Sequence, residues 1–200
     1  MYKIVIVDDE PIIRMDLSEL LKEEGYDVVG YGSDGLDAIE QCRQHKSDVL
    51  LLDIKMPVYD GISVAEKIIK EELAGCVIFI TAYANREFIE KAKEIGVTGY
   101  LVKPIDDKTL ISTIEISIAQ SQKIRKVVNE TREAKKKLEE SKLINRAKII
   151  VSKINNISEG EAYKFMQKMS MDKQCPMVEI ASFFIENYSE RGAIEKASQK

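Results

Sequence analysis

The sequence predicts an α/β protein with two parts, a five-stranded parallel sheet covered by helices and a helical second half. In the first half, short apolar runs alternate with segments whose apolar residues recur at helical spacing. Strands and helices that alternate in this way form a parallel sheet with helices on both faces. Residues 115–148 contain no glycine or proline and are rich in Lys, Glu, Arg, Ala and Ser, which favours a long helix.

Five predicted strands and five predicted helices make up the first half. The strands are residues 2–7, 28–31, 49–52, 77–81 and 99–102. The helices are residues 12–24, 35–44, 61–72, 87–95 and 107 to about 122. Right-handed crossovers place the carboxyl ends of all five strands along one edge of the sheet.

The long helix carries a seam of apolar and small residues near heptad spacing. The seam consists of Ile124, Val127 or Val128, Thr131, Ala134 and Leu138. Over about three heptads this pattern favours a weak coiled coil between two copies of the chain. The predicted dimer seam is Ile124, Val128, Thr131 and Leu138. A solvated linker helix is the alternative, and the pattern leaves it open.

A small bundle of three short helices is predicted to follow the coiled coil. The first covers residues 143–154, and the second starts at a capping box of Ser158 and Glu161. The third starts at Pro176, a residue suited to a first helical turn. The predicted domains are residues 1–120, a coiled-coil linker at 121–141, the bundle at 142–189 and a polar tail at 190–200.

Composition and charge narrow the possible classes of protein. No run of about 18 apolar residues occurs, so no membrane helix or membrane partner is expected. Three scattered cysteines and one histidine argue against a disulfide framework or a zinc site, and we expect a cytoplasmic protein. The net charge is −4, but residues 1–114 carry −9 and residues 115–200 carry +5. An acidic part joined to a basic part suggests a polyanionic partner, although a solvated charged helix is an equal alternative.

Five polar side chains are predicted to meet at the carboxyl edge of the sheet. Asp8 and Asp9 follow the first strand, Asp53 follows the third, Thr81 ends the fourth and Lys103 follows the fifth. Three neighbouring carboxylates favour a bound Mg²⁺, a cation that prefers carboxylate oxygens and phosphate. Asp53 is then the candidate nucleophile toward phosphorus. Lys103 and Thr81 are candidates for stabilising the phosphoryl oxygens.

These residues also carry a family resemblance. The motifs are Asp8-Asp9, Asp53-x-x-Met56-Pro57 with Gly61, Thr81-Ala82, Tyr100 and Lys103-Pro104. They resemble the receiver domain of two-component response regulators over residues 1 to about 120, which implies a flavodoxin-like (βα)5 fold. The resemblance implies that a histidine kinase phosphorylates Asp53. It also implies that the chain is no enzyme beyond this transfer and its own slow dephosphorylation.

The same resemblance assigns a metal site and a switch. The implied Mg²⁺ ligands are Asp9 and Asp53, Asp8 through water, and the backbone carbonyl of Lys55. The implied switch pair is Thr81, which moves toward the phosphate, and Tyr100, which turns inward.

A second resemblance covers about residues 125–188. Its motifs are Leu143-Ile144-x-x-Ala147-Lys148, Ile157-Ser158-Glu159-x-Glu161-Ala162-Tyr163, Ser170-Met171 and Glu179-Ile180-Ala181. They resemble the ANTAR domain, a small three-helix RNA-binding module preceded by a coiled coil. The whole architecture is similar to the ethanolamine-utilisation type of response-regulator antiterminator. This similarity implies binding to paired RNA hairpins in a message leader, which prevents a terminator from forming.

Six cations are candidates for contacting the RNA. They are Arg146, Lys148, Lys153, Lys164, Lys168 and Lys173, and Lys148 is the strongest because it occupies the family's Ala-Lys position. The chain departs from the family at four positions, Ile149, Gln167, Asp172 and Gln174. Gln167 and Gln174 replace arginines, and the loss of two guanidinium groups removes bidentate contacts.

Three functions are consistent with the sequence. The first is an antiterminator that dimerises on phosphorylation of Asp53 and binds RNA hairpins. The second is a DNA-binding regulator, but residues 178–188 include Glu179 and Glu186 and no Lys or Arg, which makes a poor recognition helix. The third is an adaptor whose helical arm binds a protein.

Overall fold

The computed structural model describes residues 1–57, 59–83 and 85–188, and five strands and seven helices lie within them. The strands are β1 (Lys3–Val7), β2 (Asp27–Gly32), β3 (Val49–Leu52), β4 (Cys76–Thr81) and β5 (Gly99–Val102). The helices are α1 (Pro11–Glu23), α2 (Gly35–His45), α3 (Gly61–Lys70), α4 (Arg86–Ile95), α5 (Asp107–Asn155), α6 (Glu159–Lys173) and α7 (Met177–Tyr188). The predicted polar tail at 190–200 lies outside the described residues.

All strand pairs are parallel, and the strand order is β2-β1-β3-β4-β5. This order confirms the predicted flavodoxin-like sheet. The strands alternate their side chains between the two faces, and each face has its own core. On one face Ile6, Leu51 and Ile78 pack with residues of α1 and α5. On the other face, Leu50 and Phe79 pack with residues of α2, α3 and α4.

The chain divides into two compact units, Met1–Lys126 and a second unit that begins at Val127. In the second unit, Ala147 and Val151 of α5 pack against Met166 of α6 and Phe184 of α7. The predicted capping box starts α6: the Ser158 hydroxyl accepts from the Glu161 N–H, and the Glu161 carboxylate accepts from the Ser158 N–H. Within the described ranges, every helix is too short or too polar to span a membrane.

Helix α5 runs without a break from Asp107 to Asn155. The prediction of a separate short helix at 143–154 is therefore wrong, because those residues form the last turns of α5. The chain lacks glycine and proline throughout α5, so no residue within it breaks the helix. The helix ends before Asn156, which has a left-handed φ of 51°.

Side chains of α5 also bind the backbone at the amino edge of the sheet. Ser117 donates to the Thr98 carbonyl at 3.2 Å, and four residues later Ser121 donates to the Gly75 carbonyl. After four more residues, Arg125 donates to the Ala74 carbonyl at 2.9 Å. Because residues four apart lie on one helix face, these donors form a polar stripe that holds α5 on the first unit.

We expect Arg125→Ala to lower the free energy of unfolding of the first unit by about 1 kcal/mol, the usual net value of one lost hydrogen bond. Urea unfolding of the full chain, followed by circular dichroism, measures this change. Lys126→Ala removes a neighbouring exposed cation and should change stability by much less. Equal losses for the two variants would show that the Arg125 bond contributes nothing specific.

Two of the three cysteines lie in the cores of the first unit. Burial raises the pKa of the Cys42 and Cys76 thiols to about 11, whereas Cys175 is partly exposed. Since the thiolate is the reactive form, Cys175 should react first with a thiol reagent at pH 8. Cys42 and Cys76 should react only after denaturant is added. Mass spectrometry of the labelled peptides distinguishes the three sites, and early labelling of Cys42 would contradict the described packing.

Candidate functional site

The carboxylates of Asp8, Asp9 and Asp53 meet at the carboxyl edge of the sheet, with one oxygen of each within 4.8 Å of the others. Backbone pairing brings them together. The Asp53 N–H donates to the Val7 carbonyl at 2.9 Å, so the residue after β3 lies beside the residue after β1. Asp8 and Asp53 are buried and Asp9 is exposed. The cluster therefore has two shielded carboxylates and one that faces the solvent.

The Lys103 ammonium opposes these charges from the end of β5. Its Nζ lies 2.7 Å from Oδ2 of Asp8, 3.7 Å from Oε1 of Glu10 and 4.0 Å from Oδ2 of Asp53. The Lys103 N–H continues the sheet by donating to the Thr81 carbonyl, and the following bond to Pro104 is cis. The distances from Nζ show that the Lys103 ammonium faces both buried carboxylates, Asp8 and Asp53.

Burial and neighbouring charges oppose each other in this site. Burial raises the pKa of Asp53, the charge of Lys103 lowers it, and the charge of Asp8 raises it, with a net increase. Burial alone would lower the pKa of Lys103, but the hydrogen bond and charge of Asp8 outweigh it and raise that pKa. Three carboxylates and one ammonium leave an excess of negative charge, which suits a divalent cation with oxygen ligands.

The loop after Asp53 is supported by the start of α3. The Gly61 N–H donates to the Ile54 carbonyl at 2.8 Å. A Cβ on Gly61 would lie only 2.1 Å from the Asp53 carbonyl oxygen and 2.8 Å from Cα of Ile54. The Asp53 Oδ1 atom accepts from the Ile54 N–H at 2.7 Å. Gly61 is thus required for the close backbone approach that holds the Asp53 loop in place.

Both predicted switch residues contact Tyr83. The buried Thr81 hydroxyl accepts from the Tyr83 N–H at 3.3 Å, and the Tyr100 hydroxyl donates to the Tyr83 carbonyl at 2.6 Å. Burial and the charge of Asp53 raise the pKa of Tyr100. Sequence reasoning did not identify Tyr83, although its position two residues after Thr81 placed it at the same sheet edge.

The Lys55 side chain contacts two aromatic residues that follow β4. Its Nζ lies 5.8 Å from the ring centroid of Tyr83 and 5.4 Å from that of Phe88, within the usual range of a cation–π interaction. The predicted metal-binding role of the Lys55 carbonyl stays a prediction, since these contacts are made by the side chain.

The six predicted RNA-binding cations differ in accessibility. Five are exposed, namely Arg146, Lys153, Lys164, Lys168 and Lys173. Lys148 has only 23% of its side chain exposed, and its Nζ lies 2.8 Å from Oε2 of Glu159. Among the four departures, Ile149, Gln167 and Asp172 are exposed, and Gln174 ends α6 with a left-handed φ of 51°.

Comparison with known proteins identifies the first half of the chain. Residues 4–115 match the response regulator receiver domain family, and this range covers more than half of the chain. The chain is a response regulator. Residues 132–185 of the response regulator match the ANTAR domain family, so its output domain is an RNA-binding one. Both predicted family memberships are confirmed.

Curated relatives match either nearly the whole chain or about half of it. The response regulator is 36% identical over 184 residues to the transcriptional regulatory protein PdtaR of Mycobacterium tuberculosis, covering 92% of this chain and 89% of that protein. It is 33% identical over 115 residues to the chemotaxis protein CheY of Treponema pallidum, covering 56% of this chain and 80% of that protein.

Solved structures resemble the receiver of the response regulator. A CheY-like receiver domain protein from Methanospirillum hungatei JF-1 has a TM-score of 0.58 and 27% identity, covering 62% of this chain and 98% of that one. A CheX–CheY–BeF3–Mg²⁺ complex from Borrelia burgdorferi has a TM-score of 0.54 and 27% identity, covering 56% of this chain and 86% of that one.

Proposed function

We propose that a histidine kinase phosphorylates this response regulator on Asp53, and that the phosphorylated chain dimerises and binds paired RNA hairpins to antiterminate transcription. The observation that carries the proposal is the convergence of Asp8, Asp9, Asp53 and Lys103 at one sheet edge, in a chain that also has an ANTAR domain. The receiver family implies the kinase, and the ANTAR family implies the RNA.

In this mechanism Asp53 is the nucleophile. A carboxylate oxygen of Asp53 attacks the phosphorus of a phosphohistidine, the P–N bond breaks, and its electron pair leaves with the imidazole nitrogen. Lys103, 4.0 Å from the Asp53 carboxylate, offsets the charge on the phosphoryl oxygens. Thr81 supplies a hydroxyl to the new phosphoryl group, and Tyr100 releases Tyr83 as the loop between β4 and α4 rearranges.

The donor set fits Mg²⁺. Carboxylate oxygens of Asp8, Asp9 and Asp53 lie close together, and they are the hard ligands this cation takes. Asp9, Asp53 and the Lys55 carbonyl would hold the ion directly, and Asp8 would hold it through water. When bound, Mg²⁺ supplies positive charge that neutralises phosphoryl oxygens. The solved CheX–CheY complex from Borrelia burgdorferi includes Mg²⁺, and this supports the assignment by analogy.

Acetyl phosphate tests the phosphoacceptor directly. Incubation with acetyl phosphate and Mg²⁺ should add one phosphoryl group to the full chain, as measured by intact mass, and Asp53→Asn should abolish the addition. Asp16→Asn, which changes an exposed carboxylate of α1, should leave it intact. An unchanged mass for the unmodified chain, or an equal mass increase in the Asp53→Asn variant, would refute the assignment.

The proposed dimer seam is solvent-exposed in the single chain. Ile124, Val128 and Leu138 each expose more than half of their surface, and Thr131 bonds the Val127 carbonyl of its own helix at 2.8 Å. A second copy of α5 would cover these apolar side chains. Sedimentation before and after phosphorylation should show a monomer becoming a dimer, and Leu138→Lys should prevent this change.

RNA binding should depend on the exposed cations of the second unit. Two ANTAR domains in one dimer can occupy two linked hairpins, which raises affinity through effective concentration. Filter binding across salt concentrations should show affinity falling steeply as salt rises, because phosphate contacts release counterions. If the affinity does not change with salt for any RNA tested, the result would instead favour the adaptor function.

A further inference from the structure

The ion pair of Lys148 and Glu159 connects two helices of the ANTAR domain. Lys148 lies on α5 and Glu159 is the first residue of α6, and their charged atoms are 2.8 Å apart. The other ion pairs among the described residues of the second unit are Lys136–Glu140 and Lys142–Glu139, each within α5. Among the RNA-binding candidates, Lys148 is thus the one that forms an ion pair with a carboxylate on another helix.

Glu159 takes no part in the capping box of α6. The capping box uses Ser158 and Glu161, which satisfy each other's backbone N–H groups. Glu159 keeps 59% of its side chain exposed, and Oε2 of its carboxylate lies 2.8 Å from the Lys148 ammonium. The capping box is therefore complete without the Glu159 carboxylate, and the side chain that this carboxylate contacts is that of Lys148.

We infer that Glu159 is an internal competitor of RNA phosphate for Lys148. This inference rests on the proposed RNA-binding function and names a contact that limits it. A phosphate approaching Lys148 meets a like charge already bound to the ammonium, so the contact forms only as the Glu159 carboxylate moves away. Because an ammonium is a compact point charge on a flexible stem, it can exchange one oxygen anion for another without refolding the domain.

The competition has a consequence for regulation. A phosphate that contacts Lys148 must displace the Glu159 carboxylate or accept its repulsion, and either cost lowers the affinity of a single domain. Two domains held in one dimer recover that affinity through effective concentration. Glu159 thereby weakens RNA binding by the unphosphorylated monomer and makes binding depend more strongly on dimerisation.

A double-mutant cycle tests whether Glu159 acts through Lys148. The variants are Glu159→Gln, Lys148→Ala and the pair, in the full unphosphorylated chain. The probe is a labelled RNA of two stem-loops, selected for binding to the phosphorylated chain from a pool with randomised loops. Glu179→Gln is the matched control, since Glu179 is also an acidic residue in the first turn of its helix. Thermal unfolding monitors the folding of every variant.

Glu159→Gln should bind the RNA more tightly, by up to about fivefold, the upper end of the range for one exposed charge interaction. It should also steepen the dependence of affinity on salt, because the freed ammonium makes its phosphate contact without an opposing carboxylate. Lys148→Ala should weaken binding and should remove the gain from Glu159→Gln. Glu179→Gln should change affinity by less than about twofold.

Two results would overturn the inference. The first is a gain from Glu159→Gln that persists in the Lys148→Ala background, because it would show a general charge effect. The second is an affinity that Glu159→Gln leaves unchanged or weakens while the variant remains folded. If the selection yields no RNA that the phosphorylated wild-type chain binds, the proposed function itself fails, and this outcome is distinct from both.

Discussion

Lys103→Met is expected to lower the free energy of unfolding of the receiver by about 3 kcal/mol at neutral pH without Mg²⁺, the scale for removing one partner of a buried ion pair. The substitution keeps the apolar stem and removes the ammonium. Asp8, with 2% of its side chain exposed, then loses its 2.7 Å partner. Asp53 loses the nearby charge that offsets its burial. Guanidinium unfolding in the presence of EDTA measures the loss.

The loss of stability in Lys103→Met should depend on divalent cations and on pH. Added Mg²⁺ should restore part of the stability, because a cation among the three carboxylates replaces the missing charge. The folded-state pKa of Lys103 is raised above 10.5, so its contribution is complete below pH 10.5 and is lost as pH rises through the folded value. The difference between wild type and variant should therefore shrink above pH 10.5.

A matched exposed pair provides the control for Lys103→Met. Lys91→Met breaks the Lys91–Glu87 pair on the surface of α4, which is 2.8 Å long. Water screens such an exposed helical pair, so its loss should cost far less stability than the loss of the buried Lys103–Asp8 pair. If Lys103→Met and Lys91→Met lowered the free energy of unfolding equally, burial of Asp8 would not explain the effect of Lys103→Met.

Gly61→Ala is expected to destabilise the receiver by about 1–3 kcal/mol, the usual cost of inserting a group into a filled site. It should also slow phosphorylation of Asp53 at least about tenfold, because a small misplacement of a reacting group costs this much or more. The added Cβ would lie 2.1 Å from the Asp53 carbonyl oxygen. Backbone atoms cannot rotate away as a side chain can, so the Asp53 loop itself must shift. Intact mass against time with acetyl phosphate measures the rate.

Gly160→Ala is the matched control for Gly61→Ala. Gly160 also lies in a first helical turn, but a Cβ there would meet no atom within 4 Å. Because alanine is the better helix former, this variant should be at least as stable as wild type and should be phosphorylated normally. If Gly61→Ala had the stability and the phosphorylation rate of the wild type, the Asp53 loop would have to accommodate the added Cβ without cost.

The carboxyl edge of the sheet was predictable because it depends on order along the chain. Apolar runs that end at Asp8, Asp53, Thr81 and Lys103 must bring those residues to one edge of a parallel sheet. The sequence did not indicate that Tyr83 contacts both Thr81 and Tyr100. Those contacts depend on the path of a loop, and loop residues carry no periodicity.

Helix α5 illustrates the difference between local and long-range information. The absence of glycine and proline predicted a long helix, and the helix is longer than expected because nothing in its sequence breaks it. Its attachment through Arg125 joins residues 51 positions apart. No pattern in the sequence pairs a side chain with a backbone carbonyl at that separation.

By itself the sequence determined the order of the strands along the chain, the acidic residues at the carboxyl edge of the sheet and the basic second half. Apolar periodicity, turn residues and charge are local properties, so they can be read from the sequence. The tertiary structure decided which charges are available. It places Lys103 between two buried carboxylates, and it pairs Lys148 with Glu159 while leaving the other candidate cations exposed. These pairings follow from distances between separate elements, which exist only after strands and helices have packed.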